Sequence, residues 1–203
     1  SYFLYRGNIG EDLFYLKKYK EAEAELQEVF PQAKEKKLNR VASGMALALG
    51  KLYYETKQTE KAVDYFNYAS QYASSSGEKE SAIEAFNYLG LINKEKGRTD
   101  NAENNFRNAV NMISAYKLAA GWEPFYQLGV LFFTQNKYDS AIQYFKKAVE
   151  LLDKNSENLY GGEEARKIFN NNPKKADLYN KITFSYYNQG NINEAWAYAN
   201  RSN

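Results

Sequence analysis

Apolar side chains recur along this chain at intervals of three and four residues, with polar positions between them. Phe125, Leu128 and Phe132 show the spacing, which places its members on one face of an α-helix. Short polar or glycine-containing breaks separate such stretches, and Pro31 is expected to bend or shorten the helix that contains it. The pattern predicts an all-α fold of ten helices, at about residues 3–16, 19–35, 38–56, 59–75, 78–96, 99–117, 121–135, 138–153, 174–189 and 192–202.

One motif recurs with fixed internal spacing. In each copy an apolar residue and a glycine precede an alanine, a large apolar residue and a second alanine, which lie 12, 16 and 19 residues after the glycine. Three copies keep this form: Leu49-Gly50 with Ala62, Phe66 and Ala69; Leu89-Gly90 with Ala102, Phe106 and Ala109; Leu128-Gly129 with Ala141, Phe145 and Ala148. An earlier copy is Ile9-Gly10 with Ala22, Leu26 and Val29, and a degenerate fifth is Ile182-Thr183 with Ala195, Ala199 and Ser202. Because the glycine has no side chain and the alanines are small, we expect close contact between the helices at these positions.

These positions resemble the tetratricopeptide repeat. The copy that shows its signature reads Phe125, Leu128-Gly129, Phe132, Ala141, Phe145 and Ala148. The period here is about 40 residues instead of the usual 34, and the extra residues are expected to lengthen the helices. The resemblance implies one right-handed α-solenoid domain over residues 1–203, with about five helix-turn-helix repeats near 3–37, 38–77, 78–118, 121–153 and 174–203.

The step to the fifth repeat contains additional residues, which form an insertion at 154–175. This segment includes Gly161-Gly162, a possible short helix from Glu163 to Phe169, and an Asn-Pro pair at Pro173 that is typical of a turn and a helix boundary. We interpret it as a solvent-exposed loop. The alternative is an element that contacts a partner, because long insertions in compact folds are often functional.

The resemblance also implies a site, because the first helix of each tetratricopeptide hairpin lines a concave groove. The corresponding positions are Lys51, Tyr54, Asn87, Leu91, Lys94, Tyr126, Val130, Phe133, Asn180, Phe184 and Tyr187. Aromatic and amide side chains suit the binding of a protein or peptide segment. The alternative for each ring is that it only covers a neighbouring helix. The Lys and Asn clamp by which some family members hold a carboxylate is not reproduced, because Gly7 and Glu11 occupy the matching positions.

The last predicted helix carries large rings and little charge. Trp196 and Tyr198 are expected to form an interface, since the final helix of a repeat array normally turns a polar face outward. We expect one of the two rings to be uncovered in this chain, and a following domain of the same native chain to be a possible partner. The stretch Glu194-Ala195-Trp196 and its flank weakly resemble the array that precedes bacterial CHAT (caspase-like) peptidase domains.

Composition narrows the choice of function. The sequence has neither cysteine nor histidine, which removes thiol and imidazole chemistry, and no Ca²⁺-loop pattern occurs. Its net charge of +2 gives no electrostatic basis for nucleic-acid binding, and no apolar run is long enough for a membrane span. We therefore expect a non-enzymatic interaction scaffold, without cofactor or metal, in the cytoplasm. The alternative is a regulatory region of a larger enzyme, such as a CHAT-type peptidase or a signalling kinase.

Overall fold

The computed structural model describes residues 2–118, 121–159 and 173–201, and all regular secondary structure in these ranges is α-helical. The helices are α1 (Tyr2–Tyr15), α2 (Tyr19–Glu35), α3 (Asn39–Glu55), α4 (Thr59–Ser76), α5 (Lys79–Glu95), α6 (Thr99–Tyr116), α7 (Glu123–Thr134), α8 (Tyr138–Leu159), α9 (Pro173–Asn188) and α10 (Ile192–Ala199). The ten helices of the predicted layout are all present in the described residues. The ends agree to within a few residues except for α8, which continues to Leu159.

The insertion is only partly visible in these ranges. Its first residues belong to α8, and Pro173 is the first residue of α9, as the Asn-Pro pair predicts. The predicted helix from Glu163 to Phe169 lies outside the described residues.

The chain divides into two compact units, residues 1–109 and 110–203. In the first unit, α1 packs on α2 and α3 on α4, and each hairpin also contacts the next helix, so that α2 packs on α3 and α4 on α5. In the second unit, α7 packs on α8, α8 on α9, and α9 on α10. Each unit is thus built from consecutive helical hairpins. This is the all-α arrangement that the periodicity predicts.

The repeat glycines let the two helices of a hairpin meet, as predicted. A Cβ atom placed on Gly50 would lie 2.6 Å from the ring of Phe66, and one placed on Gly129 would lie 2.5 Å from the ring of Phe145. Both rings are fully buried. The spacing of 16 residues between glycine and ring in the sequence therefore corresponds to direct contact across a hairpin.

The breaks between helices use left-handed backbone. Gly97, Asn136 and Gly190, which lie between helices, all have positive φ angles, of 69°, 60° and 76°. Lys57 adopts the same conformation with φ 62°, although a residue with a Cβ atom has a steric cost there that glycine does not have. Pro31 does not shorten its helix, because α2 continues through it to Glu35.

Replacing Ala102 by leucine should lower the free energy of unfolding by about 1–3 kcal/mol. Ala102 is completely buried, so the added carbons have no space without displacing neighbours. Ala115 lies on the same helix and is exposed, so Ala115→Leu is the matched control and should change stability little. Thermal or urea unfolding measures both. Equal stability of the two variants would show that the repeat register is wrong.

Candidate functional site

The predicted groove residue Lys51 is committed to an internal ion pair. Its side chain is only 8% exposed, and its Nζ lies 2.6 Å from Oε1 of Glu84 on α5. Burial opposes the charged form, but the attraction and hydrogen bond of Glu84 outweigh it and raise the pKa of Lys51. Lys51 thus links α3 to α5.

Tyr54 also makes contacts inside the first unit. Its hydroxyl donates a hydrogen bond to Glu95, and its ring packs edge-on against Tyr88, with ring centres 5.4 Å apart. Burial, followed by the hydrogen bond to Glu95, raises the pKa of the hydroxyl. Tyr54 therefore packs against a neighbouring helix of this chain, which is the alternative interpretation given above for the groove rings.

The other groove positions of the first unit, Asn87, Leu91 and Lys94, are half-buried on α5. The Oδ1 atom of Asn87 is buried and has no hydrogen-bond partner among the described residues. It is a polar atom that a bound segment could satisfy.

In the second unit, Tyr126, Val130 and Phe133 are half-buried on α7. Burial, together with the hydrogen bond that its hydroxyl donates to Asp177, raises the pKa of Tyr126 to about 12. Phe133 packs edge-on against Tyr138, with ring centres 5.7 Å apart. The rings of Tyr126 and Phe133 therefore also contact other residues of this chain.

The last hairpin of the second unit is different, because four of its large apolar side chains are uncovered. Phe184 and Tyr187 on α9 are 59% and 63% exposed, and Ile192 and Trp196 on α10 are 56% and 71% exposed. They lie around one open cleft of about 300 Å³, whose lining also includes Thr183, Ala195 and Ala199. These seven residues are called the α9–α10 apolar face below. It unites two predicted groove residues with one predicted interface residue.

Tyr198, the second ring of the predicted interface, is half-buried instead. It packs against Tyr186 and Tyr179, with ring centres 5.7 and 6.2 Å away, and the guanidinium of Arg201 lies 4.7 Å from its ring centre. One of the two rings is thus uncovered and the other covered, as expected. The remaining groove residue, Asn180, is exposed on α9.

Comparison with protein families decides the family. Residues 46–76 and residues 122–155 each match a model described as the tetratricopeptide repeat. The first stretch covers α4 and the last ten residues of α3, the second covers α7 and most of α8, and both contain a glycine–phenylalanine contact described above. The chain therefore contains tetratricopeptide repeats.

Solved structures share the fold of this tetratricopeptide-repeat protein at low sequence identity. BtubC (BKLC) from P. vanneervenii is 20% identical, with a TM-score of 0.71, and the match covers 95% of this chain and 75% of that one. A MamA protein is 18% identical, with a TM-score of 0.64, and the match covers 98% and 89%. A MamA from AMB-1 has a TM-score of 0.59 at 18% identity, covering 100% and 98%. No curated protein sequence matches the chain.

Three residues of the α9–α10 apolar face of this tetratricopeptide-repeat protein, Thr183, Ala199 and Ile192, were not among the predicted site residues. Thr183 and Ala199 stand where other repeats have glycine and phenylalanine, a reversal of large and small residues that the fifth copy of the motif already displays. Ile192 was also missed, although it occupies the position of the polar Thr59 in the second repeat. The available signal was an isoleucine at a position that holds threonine or tyrosine in the other repeats.

Within the described residues, no group of three or more acidic side chains is placed to hold a metal ion. None of the described helices combines the length and the hydropathy that crossing a membrane requires.

Proposed function

We propose that this tetratricopeptide-repeat protein is an interaction module that binds a protein partner through the α9–α10 apolar face. The observation that carries the proposal is the exposure of Phe184, Tyr187, Ile192 and Trp196 side by side. Soluble proteins rarely leave a large contiguous apolar patch in water, and such patches mark interaction sites. Tryptophan and tyrosine are also the side chains that most often dominate binding energy.

The groove positions of the first unit support this choice by contrast. Lys51 and Tyr54 already have Glu84, Glu95 and Tyr88 as partners, so a ligand would have to replace existing contacts. A ligand that covers the exposed rings of the α9–α10 apolar face would not have to replace contacts of this kind. The α9–α10 apolar face contains residues of both predicted sites. Phe184 and Tyr187 belong to the predicted groove, and Trp196 belongs to the predicted interface of the last helix.

The test begins with affinity capture of a partner and purification of that partner for binding measurements. Trp196→Ala and Tyr187→Ala should each weaken binding by about 2 kcal/mol or more, because both remove a large apolar contact. Tyr54→Ala and Tyr126→Ala, predicted groove anchors with internal contacts, should have smaller effects on binding. Titration calorimetry with the purified partner measures all four.

Tyr5→Ala is the matched control, because Tyr5 on α1 is as exposed as Tyr187. It should leave binding unchanged. Loss of binding in the Tyr54 and Tyr126 variants alone would place the contact in the groove and refute the proposal. So would full binding by the Trp196 and Tyr187 variants.

A further inference from the structure

The repeat register relates the α9–α10 apolar face to a surface of the α3–α4 hairpin. Thr183 aligns with Gly50 because the motif spacing fixes both positions. The aligned pairs are then Phe184 with Lys51, Tyr187 with Tyr54, Ala195 with Ala62, Trp196 with Val63, and Ala199 with Phe66. Of these positions, Phe184, Tyr187 and Trp196 are exposed, and the α3–α4 hairpin shows how the aligned positions are covered.

In the α3–α4 hairpin these positions are covered by a helix, α5. Glu84 of α5 pairs with Lys51, and Tyr88 stacks on Phe66 with ring centres 4.8 Å apart and planes within 8°. The covering face of α5 consists of Ala85, Tyr88, Leu89 and Ile92, all of which pack into the core formed with α3 and α4. Their spacing of i, i+3, i+4 and i+7 is the pattern by which an amphipathic helix fills an apolar groove.

We infer that the α9–α10 apolar face binds an amphipathic α-helix of a partner protein in the manner in which α5 packs on α3 and α4. The inference rests on the proposed function and adds the shape and chemistry of the partner. The face has the same backbone framework, two packed antiparallel helices of one repeat, and it offers apolar side chains at the positions that α5 covers. The occupant is a helix with a small residue at i, an aromatic residue at i+3, and apolar residues at i+4 and i+7.

Two differences between the hairpins refine the partner sequence. Phe184 replaces Lys51, so the acidic residue that α5 places there, Glu84, would face an aromatic ring. An apolar residue before the small residue is therefore favoured, because a carboxylate would be desolvated without a cation. Ala199 replaces Phe66, which leaves space for a larger ring than Tyr88 at the i+3 position.

The first helix of a second copy fits this pattern poorly. Gly10 aligns with Gly90, which identifies the face of α1 that corresponds to the covering face of α5. The aligned pairs are Tyr5 with Ala85, Asn8 with Tyr88, Ile9 with Leu89, and Asp12 with Ile92. A large ring thus stands at the small position and a carboxylate at an apolar one. A helix from another protein is favoured for this reason.

The experiment uses Trp196 as its own reporter. In the full chain with Trp122→Phe, Trp196 is the single tryptophan, and its exposure gives red-shifted emission. The probe is a synthetic peptide of residues 79–95 carrying Glu84→Leu. We expect a saturable blue shift of the Trp196 emission as the peptide covers the ring. The peptide without Glu84→Leu should bind several-fold more weakly.

Matched double variants in the same background locate the contact. Phe184→Ala with Ile192→Ala removes one aromatic and one aliphatic side chain from the α9–α10 apolar face, and should weaken peptide binding about tenfold or more. Tyr5→Ala with Leu16→Ala removes one of each from α1 and the turn that follows it, where both are similarly exposed, and should leave binding within about twofold.

Three results would overturn the inference. The first is no blue shift with either peptide, and the second is an equal shift in the Phe184 and Ile192 double variant. The third is a blue shift that depends on protein concentration without peptide, which would identify a second copy as the occupant. If these peptides fail while a purified partner still requires Trp196, the interaction function stands and only the helical mode of binding falls.

Discussion

Replacing Gly50 by alanine is expected to lower the free energy of unfolding by about 1–3 kcal/mol. The new methyl group would lie 2.6 Å from the ring of Phe66, closer than real carbon contacts occur. That ring is fully buried and stacks on Tyr88, so it has little freedom to withdraw. The hairpin has to open or the ring has to leave its position. Urea denaturation followed by circular dichroism measures the loss.

The same helix supplies the control. Gly44 lies on α3, where a Cβ atom would meet nothing within 4 Å. Gly44→Ala should therefore stabilise the protein by roughly 0.5–1 kcal/mol, because alanine loses less backbone entropy than glycine in a helix. The two glycines thus give opposite signs. A destabilising Gly44→Ala, or a neutral Gly50→Ala, would contradict the packing described for this hairpin.

A double variant separates the clash from other effects of the substitution. Phe66→Ala alone should cost about 3–5 kcal/mol, because it leaves a cavity in the core. Once the ring is absent, Gly50→Ala has nothing to clash with and should cost no more. The fifth repeat has a similar combination naturally. Thr183, which has a side chain, stands at the position of Gly50, and the small Ala199 stands at the position of Phe66. Strict additivity of the two single effects would show that the ring is not the cause.

Removing the carboxylate of Glu84 is the second change with a large expected effect. In Glu84→Gln the ammonium of Lys51 stays buried without its counter-charge, and breaking a buried pair from one side typically costs several kcal/mol. Because Glu84 itself is partly exposed and solvent screens it, we expect a smaller loss of about 1–3 kcal/mol. Glu80→Gln on the exposed side of α5 should change stability by less than about 0.5 kcal/mol.

The pH dependence follows from the direction of the pKa shift. The folded pKa of Lys51 is raised above the ordinary value of 10.5, so the pair contributes its full stability below that pH and loses it as the pH rises through the folded pKa. The stability difference between wild type and Glu84→Gln should therefore be largest near neutral pH and shrink above pH 10.5, where Lys51 loses its proton first in the unfolded state and, at higher pH, in the folded state. A difference that stays constant over this range would show that charge is not its origin.

Some of the candidate site could be predicted from the sequence. The exposure of one of the two rings Trp196 and Tyr198 was predicted from the scarcity of charge on their helix, and Phe184 and Tyr187 were selected by their repeat positions. Ile192 was not predicted, because its exposure depends on which elements pack against it in the folded chain. The partners of Lys51 and Tyr54 were also missed, because Glu84 and Glu95 are more than 30 residues away in sequence and meet them only after α5 has packed.

The sequence by itself determined the helices and their pairing. Helical periodicity assigns each side chain to a face from local spacing alone, and the distance from Gly50 to Phe66 sets two helices in contact across a short turn. Only the tertiary structure decided which faces are covered. Tyr198 is shielded by Tyr186, and Trp196, two residues earlier, is bare. The physical reason is that burial depends on which element packs against a face, and local spacing carries no information about that element.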